Sequence, residues 1–151
     1  MNKSHIHVAM LVAAFCALAG QAAAQQVQIE GIRAQLFKES DGTLSDDIVA
    51  NNPGLWNVII GTYQANSVLI SVVISGRPDS YDKKGSVLVT VIDEEDKKRI
   101  VQRRFSGFLF GKDGRTVKPI LVDDHNCSRM RVVARTATGI KTEIIPFKCG
   151  E

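Results

Sequence analysis

One short segment gathers an acid, a base and a thiol: Asp123-Asp124-His125-Asn126-Cys127. In an enzyme those residue types would supply an orienting carboxylate, a proton acceptor and a nucleophile. Neighbours on an extended chain point to opposite sides, so adjacency in sequence does not assemble them. No Gly-x-Ser-x-Gly elbow exists elsewhere to present a serine. The segment therefore reads as a polar loop, Asp123, Asp124 and His125, leading into a bridged cysteine. A small exported hydrolase or a calcium-dependent protein using this loop is the alternative.

Oxygen-only metal chemistry has two candidate clusters, Asp123 with Asp124 and Asn126, and Asp41 with Asp46 and Asp47. Neither has the Asp-x-Asp-x-Asp-Gly spacing of a calcium loop. Both read as turn-forming side chains that bond their own backbone. Glu94, Glu95 and Asp96 crowd what reads as a hairpin tip, where two acids cannot flank a cleft. No catalytic residue, no metal and no cofactor is expected.

The basic residues form a different pattern. Lys97, Lys98, Arg99, Arg103 and Arg104 lie on one expected strand and its turn. Arg129, Arg131 and Arg135 line one side of another. If the two strands share a sheet, the protein carries an arginine-bearing face suited to phosphates or carboxylates. The alternative is a solvated face whose charge guards an edge. Aromatic residues make up 6% of the chain, too few to signal base stacking, so no specific nucleic-acid partner is indicated. The function expected is a non-enzymatic binding module whose partner is a cell-envelope protein or an anionic polymer.

The N-terminus explains why so few imidazoles and thiols are in play. Lys3 precedes an uncharged run from Ala9 to Leu18, and Ala22-Ala23-Ala24 supplies small residues at a cleavage-like site. Residues 1–24 read as a cleavable secretory signal of bacterial type and residues 25–151 as one domain, periplasmic or secreted. The apolar run is about half of the roughly 20 residues a spanning helix needs, and no second long run follows. Cleavage removes Cys16, His5 and His7. It leaves His125 as the single histidine, and Cys127 with Cys149 as an even pair, read in an exported chain as a disulfide. The whole chain has 19 basic and 16 acidic residues, too even a balance to imply a polyanion partner by itself.

The elements that must position these residues read as strands between turns. Val27 to Leu36 alternates, with a phase change at Gly31 that predicts a bulge or a bend. Asp41-Gly42 and Asn52-Pro53-Gly54 are turn chemistry, and Ser45 is the expected cap of a helical turn through Asn51. Leu55–Ile60 reads as a strand carrying Trp56. Ser67–Ser75, nearly continuous and β-branched, reads as a central strand. Ser86–Ile92 and Arg99–Phe105 form a hairpin. Val117–Val122 carries Pro119, which predicts an edge. Ser128–Arg135 and Ile140–Phe147 form a last hairpin. A three-residue loop Ala137-Thr138-Gly139, with Gly139 left-handed, would pair Thr136 with Ile140 and bring Cys127 opposite Cys149; a two-residue loop, Ala137-Thr138, would pair Thr136 with Gly139 and miss by one. The fold class expected is all-β: an Ig-like sandwich of two antiparallel sheets with seven to eight strands, its C-terminal hairpin closed by the disulfide.

Overall fold

The computed structural model describes residues 27–51, 59–60, 63–64, 67–123 and 128–147. The expected signal at 1–24, Trp56, Asp124, His125, Cys127 and Cys149 lie outside the described residues. Strand β1 spans Gln28–Lys38 and β2 Thr43–Leu44, followed by a helical turn α1, Ile48–Asn51. Two short strands follow, β3 (Ile59–Ile60) and β4 (Tyr63–Gln64), then the long β5, Ser67–Ser75. The remaining strands are β6 (Tyr81–Asp93), β7 (Arg99–Leu109), β8 (Arg115–Asp123), β9 (Met130–Arg135) and β10 (Ile140–Ile145).

The strands form a β-sandwich. The first sheet has the order β2-β1-β5-β8 and the second β10-β9-β6-β7, with β3 and β4 as a separate pair. Every ladder among the described residues is antiparallel. The chain passes between sheets at β5–β6, β7–β8 and β8–β9. Period-two alternation dictates what meets in the middle. From the first sheet come Ile32, Ala34, Leu36, Val68, Ile70, Val72, Ile74, Ile120 and Val122. From the second come Val87, Val89, Val91, Met130, Val132 and Ala134. Each fully buried aliphatic side chain contributes about 1.5–3 kcal/mol of gross transfer free energy.

Several sequence expectations hold in detail. The β1–β5 register shifts between Ile29 and Gly31, the expected bulge. β5 is central, between β1 and β8, and β8 is an edge. β6 and β7 pair as a hairpin, and β7 runs past Phe105 to Leu109.

Others are corrected. Ser45 does not cap α1. Its Oγ accepts the Leu36 N–H at 2.9 Å, tying it to β1. Asp47 is the cap: Oδ1 accepts the Val49 N–H at 3.1 Å and also the Ala34 N–H at 3.1 Å, fastening the turn to β1. The C-terminal hairpin pairs Arg135 with Ile140, not Thr136 with Ile140. The cause is Thr136, whose N–H donates to the Gly139 carbonyl at 2.8 Å while its Oγ1 accepts the Gly139 N–H at 3.0 Å. That closure needs no left-handed residue, and Gly139 has no positive φ. The ladder stops at Met130–Ile145, and the Phe147 N–H folds back onto the Ile145 carbonyl at 3.0 Å. The ladder ends before either cysteine, so the expected pairing of Cys127 with Cys149 lies outside the described residues.

Candidate functional site

The second sheet holds most of the arginines singled out by sequence, and its register places them. On the outer face three rows run across the strands. The first is Ile140–Arg135–Leu88–Arg104, the second Thr142–Val133–Thr90–Gln102, the third Ile144–Arg131–Ile92–Arg99. Strands lie about 4.8 Å apart, so Arg135 and Arg104 straddle Leu88 with Cα atoms about 10 Å from each other. The first and third rows are four residues apart, about 13 Å. A bulge at Ile100, where Val91 pairs with Val101 but Ile92 pairs with Arg99, turns Arg99 onto this face. Its Nη1 donates to Gln102 Oε1 at 3.0 Å, and Gln102 Nε2 donates to Thr90 Oγ1 at 3.1 Å.

The four arginines are not equivalent. Arg131 Nε lies 2.7 Å from Glu94 Oε1. Both atoms are sheltered from solvent, and the approach is an ion pair too bent to count as a hydrogen bond. Glu94 Oε2 also accepts from Lys97 Nζ at 3.2 Å. Arg104 and Arg135 have no ion pair or side-chain hydrogen bond among the described residues; both are exposed. They are the unspent cations of the face.

Two predicted members do not belong to it. Arg103 pairs with the core residue Val89 and so points to the opposite side of β7 from Arg104. There its Cζ lies 5.0 Å from the centroid of the half-buried Phe105 ring. Arg129 precedes β9 and is exposed; its carbonyl accepts the Glu94 N–H at 2.8 Å, a structural contact.

Apolar side chains are interleaved with the arginines. Ile140 is 60% exposed, and Tyr81 and Leu109, paired at the far end of β6 and β7, are 64% and 70% exposed. The Tyr81 hydroxyl lies over Gly107, whose φ is 69° and where an added Cβ would come within 2.9 Å of Tyr81 Oη. Gly107 thus lets Tyr81 lie along the face.

Sequence reasoning missed Asp93, which holds the tip next to this face. It is 6% exposed. Its Oδ1 accepts the Glu95 and Asp96 N–H groups at 2.8 and 3.1 Å, and its Oδ2 accepts the Ser128 hydroxyl at 2.6 Å. The charged tip at Glu94, Glu95 and Asp96 was visible; the long-range tie of Asp93 to Ser128 had no local signal.

The polar loop is represented by Asp123 alone, the exposed last residue of β8, opposite Ser67. Asp124 and His125 fall outside the described residues, so no geometry joins the three. Asp41 is a turn former: Oδ1 accepts the Thr43 N–H at 2.9 Å and its hydroxyl at 2.6 Å. These bonds, side chain first, hold its carboxyl below the usual carboxylate range. Asp46 and Asp47 do not join it. Among the described residues, no three His, Cys, Asp or Glu side chains gather as a metal site, and no helix is long and apolar enough to cross a membrane. No protein-family model matches this chain, and no curated protein matches it.

Proposed function

We propose that the protein is a non-enzymatic binding module that engages anionic groups through the outer face of its second sheet. The supporting observation is the row Ile140–Arg135–Leu88–Arg104, with two exposed guanidinium groups straddling a leucine and no ion pair to either among the described residues. Paired planar donors of this kind suit carboxylates and phosphates. The flanking aliphatic side chains add apolar contact that a purely electrostatic surface lacks. The setting of this reading is the cell envelope, after removal of residues 1–24, with Cys127 and Cys149 joined. The sandwich is Ig-like on this reading, supported by a three-stranded β1-β5-β8 core facing β10-β9-β6-β7.

The test is retention of mature protein on immobilised polyglutamate across a salt gradient. The wild type is expected to bind and to elute as salt screens the contact, since the Debye length is about 8 Å at physiological ionic strength. Arg104→Ala with Arg135→Ala should elute with the void. Equal retention of that double variant would overturn the proposal.

A further inference from the structure

The two four-stranded sheets have four edges, and they are not equally closed. In the first sheet one edge is β2, only two residues long, and beyond it the outward N–H groups of Ala34 and Leu36 on β1 are taken by Asp47 and Ser45. The other is β8, where Pro119 lacks an N–H. In the second sheet β10 is tethered: Lys141 Nζ reaches the Glu30 carbonyl on β1 at 2.7 Å, and Pro146 follows the strand. That leaves β7, 11 residues without a proline and, among the described residues, paired on one side only.

The hydrogen-bond parity of this edge follows from the turns. The Thr136 N–H to Gly139 carbonyl bond closes a hydrogen-bonded pair. Counting along the ladder, Ala134 then bonds Lys141 and turns away from β6. Val89, opposite Ala134, must bond to Arg103 on its other side. The β6–β7 tip, closed by the Asp93 N–H to Lys98 carbonyl bond at 2.8 Å, gives the same parity once the Ile100 bulge is counted. The backbone groups of Gln102, Arg104 and Ser106 therefore point outward along β7. Their side chains all belong to the arginine-bearing face.

From this edge we infer that β7 accepts an extended acidic segment of another protein as a fifth strand of the second sheet, antiparallel to β7. The inference rests on the arginine-face reading for its charge preference and adds backbone pairing to it. An added strand places every second side chain beside Gln102, Arg104 and Ser106, continuing the row that holds Arg135 and Leu88. Acidic residues at those positions meet Arg104 directly. On the other side of the strand stand Arg103 over Phe105, and Lys118 of β8, whose Nζ lies 5.4 Å from the Phe108 ring centroid. Cations thus flank the edge on both sides. The same charges disfavour a second copy, because two β7 edges side by side would set arginines against arginines.

The probe is a nine-residue peptide alternating Glu and Val, with its binding measured by fluorescence anisotropy to the mature protein. Two N-methylated versions separate backbone pairing from charge. Methylating the Glu nitrogens blocks the bonds to β7 and should abolish binding. Methylating the Val nitrogens, which face away, should leave affinity within about twofold of the parent. Arg104→Ala should weaken the parent peptide by about tenfold. Arg104→Pro, which also removes an outward donor, should lose binding altogether. If the Glu-methylated peptide binds as tightly as the parent, strand addition is overturned while the arginine face stands. Retention on polyglutamate with no binding of the parent peptide overturns strand addition in the same way. A concentration-dependent dimer that Arg104→Pro dissolves, with no peptide binding, would overturn the inference in favour of a second copy. Because the methylated peptides are read on the wild-type protein, the test does not depend on any variant folding.

Discussion

The two outer faces of this sandwich contrast sharply although the inner faces are alike. On the first sheet the outer side of β8 presents Val117, Pro119 and Leu121, and Leu44 is exposed on β2 at the opposite edge. Its arginine at the β8 start, Arg115, is spent: Nε and Nη2 both donate to the Glu30 carboxylate, which raises the guanidinium pKa further. On the second sheet the outer side has four arginines, and the acid that meets one of them, Glu94, sits at its tip. Packing explains neither face, because neither is enclosed by the described core. The core dictates one side of each strand and leaves the other open to different use: among the described residues the first sheet's outer face has the lone unpaired Arg33, whereas the second sets two unpaired arginines, Arg104 and Arg135, in one row.

The largest expected effect comes from adjacent residues of β6 that belong to the two sides. Val89 faces the core and Leu88 sits between Arg104 and Arg135. Val89→Asp buries an unpaired charge and should cost at least about 4 kcal/mol in urea denaturation. Leu88→Glu should leave stability within about 1 kcal/mol, since the new carboxylate lands between two guanidinium groups. It should also abolish retention on polyglutamate by occupying those arginines from within. A Leu88→Glu protein that binds as well as wild type would show that the straddling pair is not the anion site, and the contrast between the faces would lose its functional meaning.

Next in size is a comparison of the aspartates that fasten each sheet's irregular segment. Asp93 ties the β6–β7 tip to Ser128 and to its own turn with hydrogen bonds of 2.6, 2.8 and 3.1 Å while nearly buried. Asp93→Ala should cost about 2–3 kcal/mol, because several donors lose their acceptor. Asp47, half-buried, caps the single turn α1 and holds it to β1. Asp47→Ala should cost about 1 kcal/mol. Thermal melts of both variants check the order; a larger loss at Asp47 would mean that α1 anchors the first sheet more than its four residues suggest.

What the sequence disclosed follows the range over which each feature is encoded. β5, the β6–β7 hairpin and the bulge at Gly31 were legible because period-two alternation and one glycine specify them locally. The edge position of β8 was legible from Pro119 alone. The hairpin register was not, because a threonine side chain, not a left-handed glycine, closes the loop. Grouping Arg103 with Arg104 failed for a simple reason: neighbours in a strand face opposite ways. What places Arg99 on the same side as Arg104 is the Ile100 bulge, which shifts the alternation without a glycine to mark it. Asp93 and Asp47 act on residues 35 and 13 positions away, a distance at which sequence gives a turn signal but no partner.

The smallest effect concerns the first sheet's exposed corner, where charge is local rather than shared. Asp41 is fully exposed, and its carboxylate accepts both bonds from Thr43 at the β1–β2 turn. Its pKa in the folded chain is lowered from the ordinary 3.8. The ionised form is thus the one that folding favours. Its contribution is fully present above pH 3.8 and fades as pH falls through the lowered value. Protection of the Thr43 amide against hydrogen exchange, corrected for intrinsic rate, should therefore drop at the acid end of that window and hold steady above it. Asp41→Asn should show reduced protection with no such pH step. The arginine-bearing face should show no matching change there, since Arg104 and Arg135 have no carboxylate partner among the described residues to titrate. A parallel loss of polyglutamate binding by the Asp41→Asn protein at neutral pH would contradict this, by showing that the corner and the face are coupled across the sandwich.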